Sequence, residues 1–369
     1  MSTLPLVVAG WMILAVQLVA LIRYLNAFLR REPQTGAVTP PVSVVVCAHD
    51  EEANLRTLVP LLLHQDYPDF EVIVVEDRSN DGTYDYLLEA TRSNQRLKMV
   101  RVRFLPDHIT GKKYAVTLGV KAAVHDWVLL TDADCRPNGN QWIRTMAMKM
   151  REDRQIVLGF SPYRRGPGYL NKFIRFESLI TAVQYVGRAM MGKPYMGTGR
   201  NLAYRKSLFL ESKGFHGHLS VTGGDDDLFV NRHATAANTA VSIGPEGLMI
   251  SIPKQSWGTF LKQKLRHLSV GRRYRLRDRW QLGWFSITWI LTWLFVAPLM
   301  FRPETITAYL WVGFILREIL LMTVVHHASR RMGEPFESWT TPLLDFNYAI
   351  YYLGSGLSAL VSKRIRWKN

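Results

Sequence analysis

The sequence predicts an α/β domain on a mostly parallel sheet, held between membrane-crossing helices. Three observations predict it. Valine-rich runs without clear alternation at 42–47, 71–75, 98–102 and 127–131 are separated by helical spacing, the pattern of strands covered on both faces. Apolar stretches at 4–22, 282–300 and 306–325 flank them, each near the length that crosses a hydrocarbon core of about 30 Å. A hydrophobic content of 48% over 369 residues permits a sizeable core and argues against disorder.

Taken in order, residues 4–22 carry no charge, and the positives Arg23, Arg30 and Arg31 come after rather than before them. A cleaved signal peptide has the opposite arrangement, so residues 1–31 read as an anchor and the chain beyond residue 31 as cytoplasmic. Residues 32–41 hold three prolines and a glycine and read as a linker into a domain spanning 42–275. Leu55, Leu58, Val59 and Leu62 make a helical stripe in which Pro60 predicts a kink.

The 282–369 region reads as a membrane hairpin and then a further helix. Arg302 and Pro303 divide its two apolar runs, and the basic residues before it, with Arg330 and Arg331 after it, put both ends in the cytoplasm. Arg317 and Glu318 are adjacent and are not expected to share a helix face, so one should face protein or snorkel. Residues 343–361 include Asp345, and a full crossing would carry Lys363, Arg364, Arg366 and Lys368 outside. An interfacial or re-entrant helix is expected there.

Net charge is +16, from 46 Lys and Arg against 30 Asp and Glu. Nine of the basic residues, against one Asp, lie within 254–279 and lead into the second apolar stretch. That placement favours an anionic membrane surface, particularly along 272–279, over nucleic acid, for which no recognition module stands out. Cys47 and Cys135 are the two cysteines, too few for a secreted disulfide framework and consistent with a reduced cytosolic setting.

Chemistry concentrates in five clusters. Ala48, His49, Asp50, Glu51 and Glu52 end the first strand, and Glu76 and Asp77 end the second, where ligands collect in an open α/β sheet. Acidic side chains there can accept from a base imide or ribose hydroxyls, while Asn80 or Asp81 can cap the next helix. Asp132 and Asp134 come after the fourth strand; two carboxylates at i and i+2 can serve a hard cation and its diphosphate. Asp225, Asp226 and Asp227 repel one another, which should raise at least one pKa; one of them could be a general base, where helix capping alone needs one. Gln263, Arg266 and His267 share a helix face suited to a diphosphate and an acceptor.

Together these residues resemble the family 2 glycosyltransferases of GT-A fold, a Rossmann-like mixed sheet, over about residues 42–273. The resemblance implies that Asp77, with Glu76 beside it, binds the nucleotide base, that Asp132 and Asp134 bind ribose and Mg2+ or Mn2+, and that Lys112 and Lys113 lie near the nucleotide. It implies a base at Asp225, with Asp226 as rival because Gly224 replaces the usual Glu, and Asp227 as the later acid. Asn201, in the Gly197–Asn201 loop, would face the donor sugar. His267 stands where processive members carry Trp, which argues against polymerisation. The expected activity is inverting transfer of a sugar, from a UDP-linked donor by preference, to a lipid, lipid-linked or glycan acceptor at the cytoplasmic face, as in envelope glycan or glycolipid synthesis. No specific protein partner is implied. A processive polysaccharide synthase and a silent nucleotide-sugar-binding protein are the alternatives.

Overall fold

The computed structural model describes residues 3–30, 39–219, 221 and 223–361, with side chains described up to 358. Residues 32–38 of the expected linker and the basic residues Lys363, Arg364, Arg366 and Lys368 lie outside the described residues. The strands are β1 (Val42–Ala48), β2 (Phe70–Asp77), β3 (Leu97–Val102), β4 (Trp127–Asp132), β5 (Cys135–Pro137), β6 (Ile156–Gly159), β7 (Leu202–Arg205), β8 (Thr239–Ser242) and β9 (Met249–Ser251). The domain's helices are α2 (Glu52–Leu63), α3 (Thr83–Ser93), α4 (Gly111–Ala122), α5 (Trp142–Ala147), α6 (Tyr169–Met190), α7 (Lys206–Glu211), α8 (Asp227–His233) and α9 (Trp257–Gly271). Flanking them are α1 (Leu4–Leu29), then α10 (Leu276–Leu291), continued through a π turn into α11 (Ala297–Met300), α12 (Thr305–Arg331) and α13 (Thr341–Val361).

Seven strands form one sheet in the order β3-β2-β1-β4-β7-β6-β8, and β5 pairs with β9 in a second. β3, β2, β1 and β4 run parallel, but β7 is antiparallel to both β4 and β6, so the sheet is mixed. The strands at its centre are apolar along most of their length because both faces are covered. Val42, Val44 and Val46 pack with Leu55, Leu58 and Leu62 of α2, while Val45 packs with Ala115, Val116 and Val120 of α4. That second core runs through Phe173 and Phe176 of α6 to Tyr24 and Phe28 of α1 and to Phe285 of α10. The soluble domain therefore shares its core with the membrane-type helices.

Three helical segments, Leu4–Leu29, Leu276–Met300 and Thr305–Arg331, are long and apolar enough to cross a membrane. α1 and α12 approach closely at small residues: a Cβ on Gly313 would lie 2.8 Å from the Trp11 ring, and one on Gly10 3.2 Å from Leu310. Gln17 of α1 donates from Nε2 to the Phe285 carbonyl at 3.0 Å and to Thr288 Oγ1 at 2.7 Å on α10.

Two expectations need correction. Arg317 and Glu318 are both buried, because α12 packs against neighbours on more than one side. Arg317 pairs with Glu318 and, through both terminal nitrogens, with Asp345 of α13, to which Trp293 also donates. Residues 272–279, whose charge suits an anionic membrane surface as a basic helix would, are not one helix: they hold the break between α9 and the first turn of α10. Within them Asp278 makes a buried pair with Arg188 of α6 at 2.7 Å, while Arg272, Arg273, Arg275, Arg277 and Arg279 stay exposed.

Removing one partner of a buried ion pair leaves the other charge unpaired, at about 3–5 kcal/mol, whereas replacing both can be nearly neutral. Arg317→Leu is thus expected to shorten markedly the lifetime of the folded chain in detergent on heating. Arg317→Leu with Asp345→Leu and Glu318→Gln should recover most of it, as read by thermal unfolding.

Candidate active site

The site lies at the carboxyl ends of β1, β2 and β4, adjacent parallel strands whose loops open on the same edge of the sheet. After β1 and β2 the chain turns through left-handed backbone at Asp50 (φ 56) and Arg78 (φ 55). Hydrogen bonds lock the two loops together: Asp50 N–H donates to Ser79 Oγ, Asn80 N–H to Asp50 Oδ1, and the His49 Nδ1 edge meets the Asp77 carbonyl at 2.6 Å. Asp81 caps the next helix by accepting from Thr83 N–H at 3.0 Å, and also from Glu52 N–H.

Asp77 and Glu76 have different surroundings. Glu76 is fully buried, accepts from Ser79 N–H at 2.6 Å and faces Arg101 at 3.4 Å, so it braces the loop. Asp77 accepts from Arg78 Nε at 2.8 Å, and its other oxygen lies beside the start of α4, where a Cβ on Gly111 would come within 2.9 Å of it. Ala48 ends β1 in the core, whereas Glu51 is part-buried, accepts from Asn54 and is raised in pKa by burial and by Asp134 and Asp132.

Lys112 joins two motifs. Its Nζ donates to Asp132 Oδ1 at 3.0 Å and sits 3.4 Å from Asp225 Oδ2. Burial alone would lower its pKa, yet Asp132, Asp225 and Asp226 hold it well above the usual value. In the same way burial works against ionised Asp132, and Lys112 and then Arg200 and Arg266 hold its pKa below the usual range. Lys113 faces elsewhere: its Nζ donates to the carbonyls of His218 and Val221 at 2.7 and 2.6 Å, and burial brings its pKa down to about 8. It ties down the loop before the aspartates.

The three aspartates part company by the local backbone. Gly223 (φ 84) and Gly224 (φ 75) are left-handed, and a Cβ on Gly224 would meet Leu228 at 2.6 Å, so this turn has no room for the family's Glu. Asp226 accepts from Gly199 N–H at 2.6 Å and from Asp227 N–H at 2.8 Å. Asp227 accepts from Leu228 N–H at 2.8 Å and from the Tyr274 hydroxyl at 2.7 Å. Burial and then their neighbours raise the pKa of both, Asp227 well above the carboxylate range. Asp225, facing Lys112, is left without a capping role.

These groups open into a cavity of about 600 Å³ lined by Lys112, Asp132, Asp225, Gln263, Arg266 and His267. The His267 side chain is exposed, and desolvation on the cavity wall together with the cations Lys264, Arg266, Arg200 and Lys112 around it lowers its pKa well below the usual histidine range. Asn201 is not available to a ligand: it is fully buried, donates to the Phe160 and Gly247 carbonyls and accepts from Trp142 Nε1 at 3.0 Å. Its neighbour Arg200 takes the wall instead, 4.6 Å over the Tyr163 ring. The sequence signal was present in the same loop, but one residue away. Glu177 and Lys264, paired from α6 and α9 across the cavity wall, carried no motif.

Among the described residues no group of three His, Cys, Asp or Glu is gathered as a metal site. Burial and then the neighbouring Asp132 raise the pKa of Asp134, so this pair would gain from a cation. Two carboxylates with a donor's phosphate oxygens suit Mg2+ or Mn2+, which seldom takes an all-protein shell. The residues fit the ion as part of its shell.

A mixed sheet with acidic loops at its carboxyl edge, and a cavity running from them to membrane-type helices, is the arrangement of a GT-A domain packed against helices long and apolar enough to cross a membrane. The sequence model of glycosyl transferase family 2 matches residues 43–212, and that segment belongs to the family. An uncharacterized glycosyltransferase of Synechocystis is 30% identical over 139 residues, 37% of this chain and 42% of that protein. The chain thus spans well under half the length of that relative. Poly-beta-1,6-N-acetyl-D-glucosamine synthase of Staphylococcus epidermidis is 22% identical over 313 residues, 84% of this chain and 68% of the synthase. Among solved structures, the mannosyltransferase PcManGT of Pyrobaculum calidifontis, in complex with GDP-Man and Mn2+, shares the fold over 98% of this chain and 99% of its own, with TM-score 0.63 and 17% identity.

Proposed function

We propose that the protein transfers a sugar from a nucleotide-sugar to an acceptor hydroxyl at the cytoplasmic face of the cell membrane, with inversion. The observation that carries this is the Asp132–Lys112–Asp225 array: one cation joins the donor-side motif to the candidate base at the head of a single cavity. Asp77 receives the nucleotide base. Asp132 and Asp134 hold the ribose and a divalent cation, Mg2+ or Mn2+, which when bound neutralises the diphosphate and stabilises it as it leaves. Asp225 takes the acceptor proton, and Gln263, Arg266 and His267 orient the diphosphate and the acceptor. Lys112 bridges Asp132 and Asp225 while the donor is absent and is placed to meet diphosphate oxygens once it arrives.

The synthase relative supports a second reading, stepwise extension of a glycan. Product length decides it: a single added sugar fits the first, a ladder the second.

Binding of UDP- and GDP-sugars to the detergent-solubilised chain, by calorimetry with and without Mn2+, tests the proposal. One donor should bind with a metal-dependent increase in affinity; absence of binding by every donor would remove it. Gly111→Ala is expected to weaken donor binding about tenfold without loss of thermal stability. The new methyl group pushes the Asp77 carboxylate from its place, and small displacements at a binding group are costly, while Ala is the better helix former.

A further inference from the structure

The cavity does not end at the domain. Beyond Arg266 and His267 it continues between α10 and α13, where Gly283, Ile287 and Ile290 line one side and Tyr352, Ser355 and Gly356 the other. The first three are at i, i+4 and i+7 and the second three at i, i+3 and i+4, so each helix turns one face to the same gap. α10 begins a segment long and apolar enough to cross a membrane. The gap is open: a Cβ built on Gly283 or Gly356 meets nothing within 4 Å. Glycine weakens a helix interior relative to alanine, so room is kept on both helices at some expense of helix stability.

We infer that this gap is the lateral entrance for a lipid acceptor, a hydroxyl-bearing amphiphile whose hydrocarbon chain lies between α10 and α13 while its head reaches Asp225. The inference rests on the transferase reading for the role of the head and on the cavity alone for the chain. The cavity is charged at the aspartates and Arg266 and apolar along Ile287 and Ile290, the polarity of an amphiphile held head-inward. A water-soluble acceptor has no use for the apolar wall that Ile287 and Ile290 form on a membrane-type helix. A lipid can enter from the bilayer without its chain crossing water.

The test is photo-crosslinking of the full chain in detergent micelles with a palmitoyl glycerol carrying a diazirine in its chain, mapped by peptide mass spectrometry. Labels are expected on the gap faces of α10 and α13 and should fall at least fivefold in Gly283→Leu and, on the opposite wall, in Gly356→Leu. Labels on Trp284 and Ile315, which do not line this cavity, should persist in both variants, and thermal unfolding near that of wild type reports intact folding. Gap labelling equal to wild type in both variants, or absent from the gap in wild type, would overturn the inference. Nucleotide-sugar binding is read separately: gap labelling in a chain that binds no donor would sink the transferase reading and leave the lipid site standing.

Discussion

Asp225→Asn is expected to lower sugar transfer by about 10²–10⁴-fold, the usual range for loss of a general base, with donor affinity nearly unchanged. The asparagine keeps the shape of the carboxylate but cannot take the acceptor proton. Asp226→Asn makes the contrast. Its two oxygens accept from Gly199 and Asp227 N–H groups, so losing that charge weakens an N-cap, an effect of about 0.5–2 kcal/mol on stability, and changes turnover far less. Kinetics and thermal unfolding of the two variants side by side separate base from cap. If Asp226→Asn loses turnover and Asp225→Asn does not, the roles are reversed.

Removal of divalent cations has the second large effect. Asp132 raises the pKa of Asp134, and Lys112, Arg200, Arg266 and Lys254 are cations already near the pair. A nucleotide-sugar brings a diphosphate to these carboxylates, and without an intervening cation the like charges oppose binding and departure alike. Chelation should therefore lower transfer by about 10²-fold or more, with recovery on adding Mn2+ or Mg2+ in excess. Asp134→Asn should raise the metal concentration needed for half-maximal rate while leaving the fold intact, because Asp134 accepts only a weak contact from Cys135 Sγ at 3.5 Å. Full activity in chelator, measured by release of nucleoside diphosphate, would remove the metal from the mechanism.

The parts of this fold legible in the sequence were those buried uniformly. β1, β2 and β4 are apolar on both faces, so their runs stood out without alternation, and the acidic residues ending them marked the site. β5, β6, β7, β8 and β9 are three or four residues long, too short for any period, and the antiparallel placing of β7 depends on pairing that no local pattern encodes. α6 is buried along most of its length, yet it carries Arg175, Glu177 and Arg188, whose charges are matched by partners 87 to 159 residues away in α9, α10 and the loop after α12. Those partners hid its apolar character. Among the aspartates the sequence left two candidates for the proposed base; the left-handed turn at Gly223 and Gly224 favours Asp225 in that proposal, because Asp226 and Asp227 become caps. Arg317 and Glu318 were misread because adjacency excludes one shared face but not two buried ones.

Transfer itself is tested most directly by reconstituting the chain in vesicles made from total bacterial lipid, supplying a nucleotide-sugar labelled in its sugar, and extracting with chloroform and methanol. Metal-dependent movement of label into the organic phase is the predicted result, absent with Asp225→Asn. Label that stays wholly on the nucleotide, or is released only as free sugar, with every donor tried would contradict it.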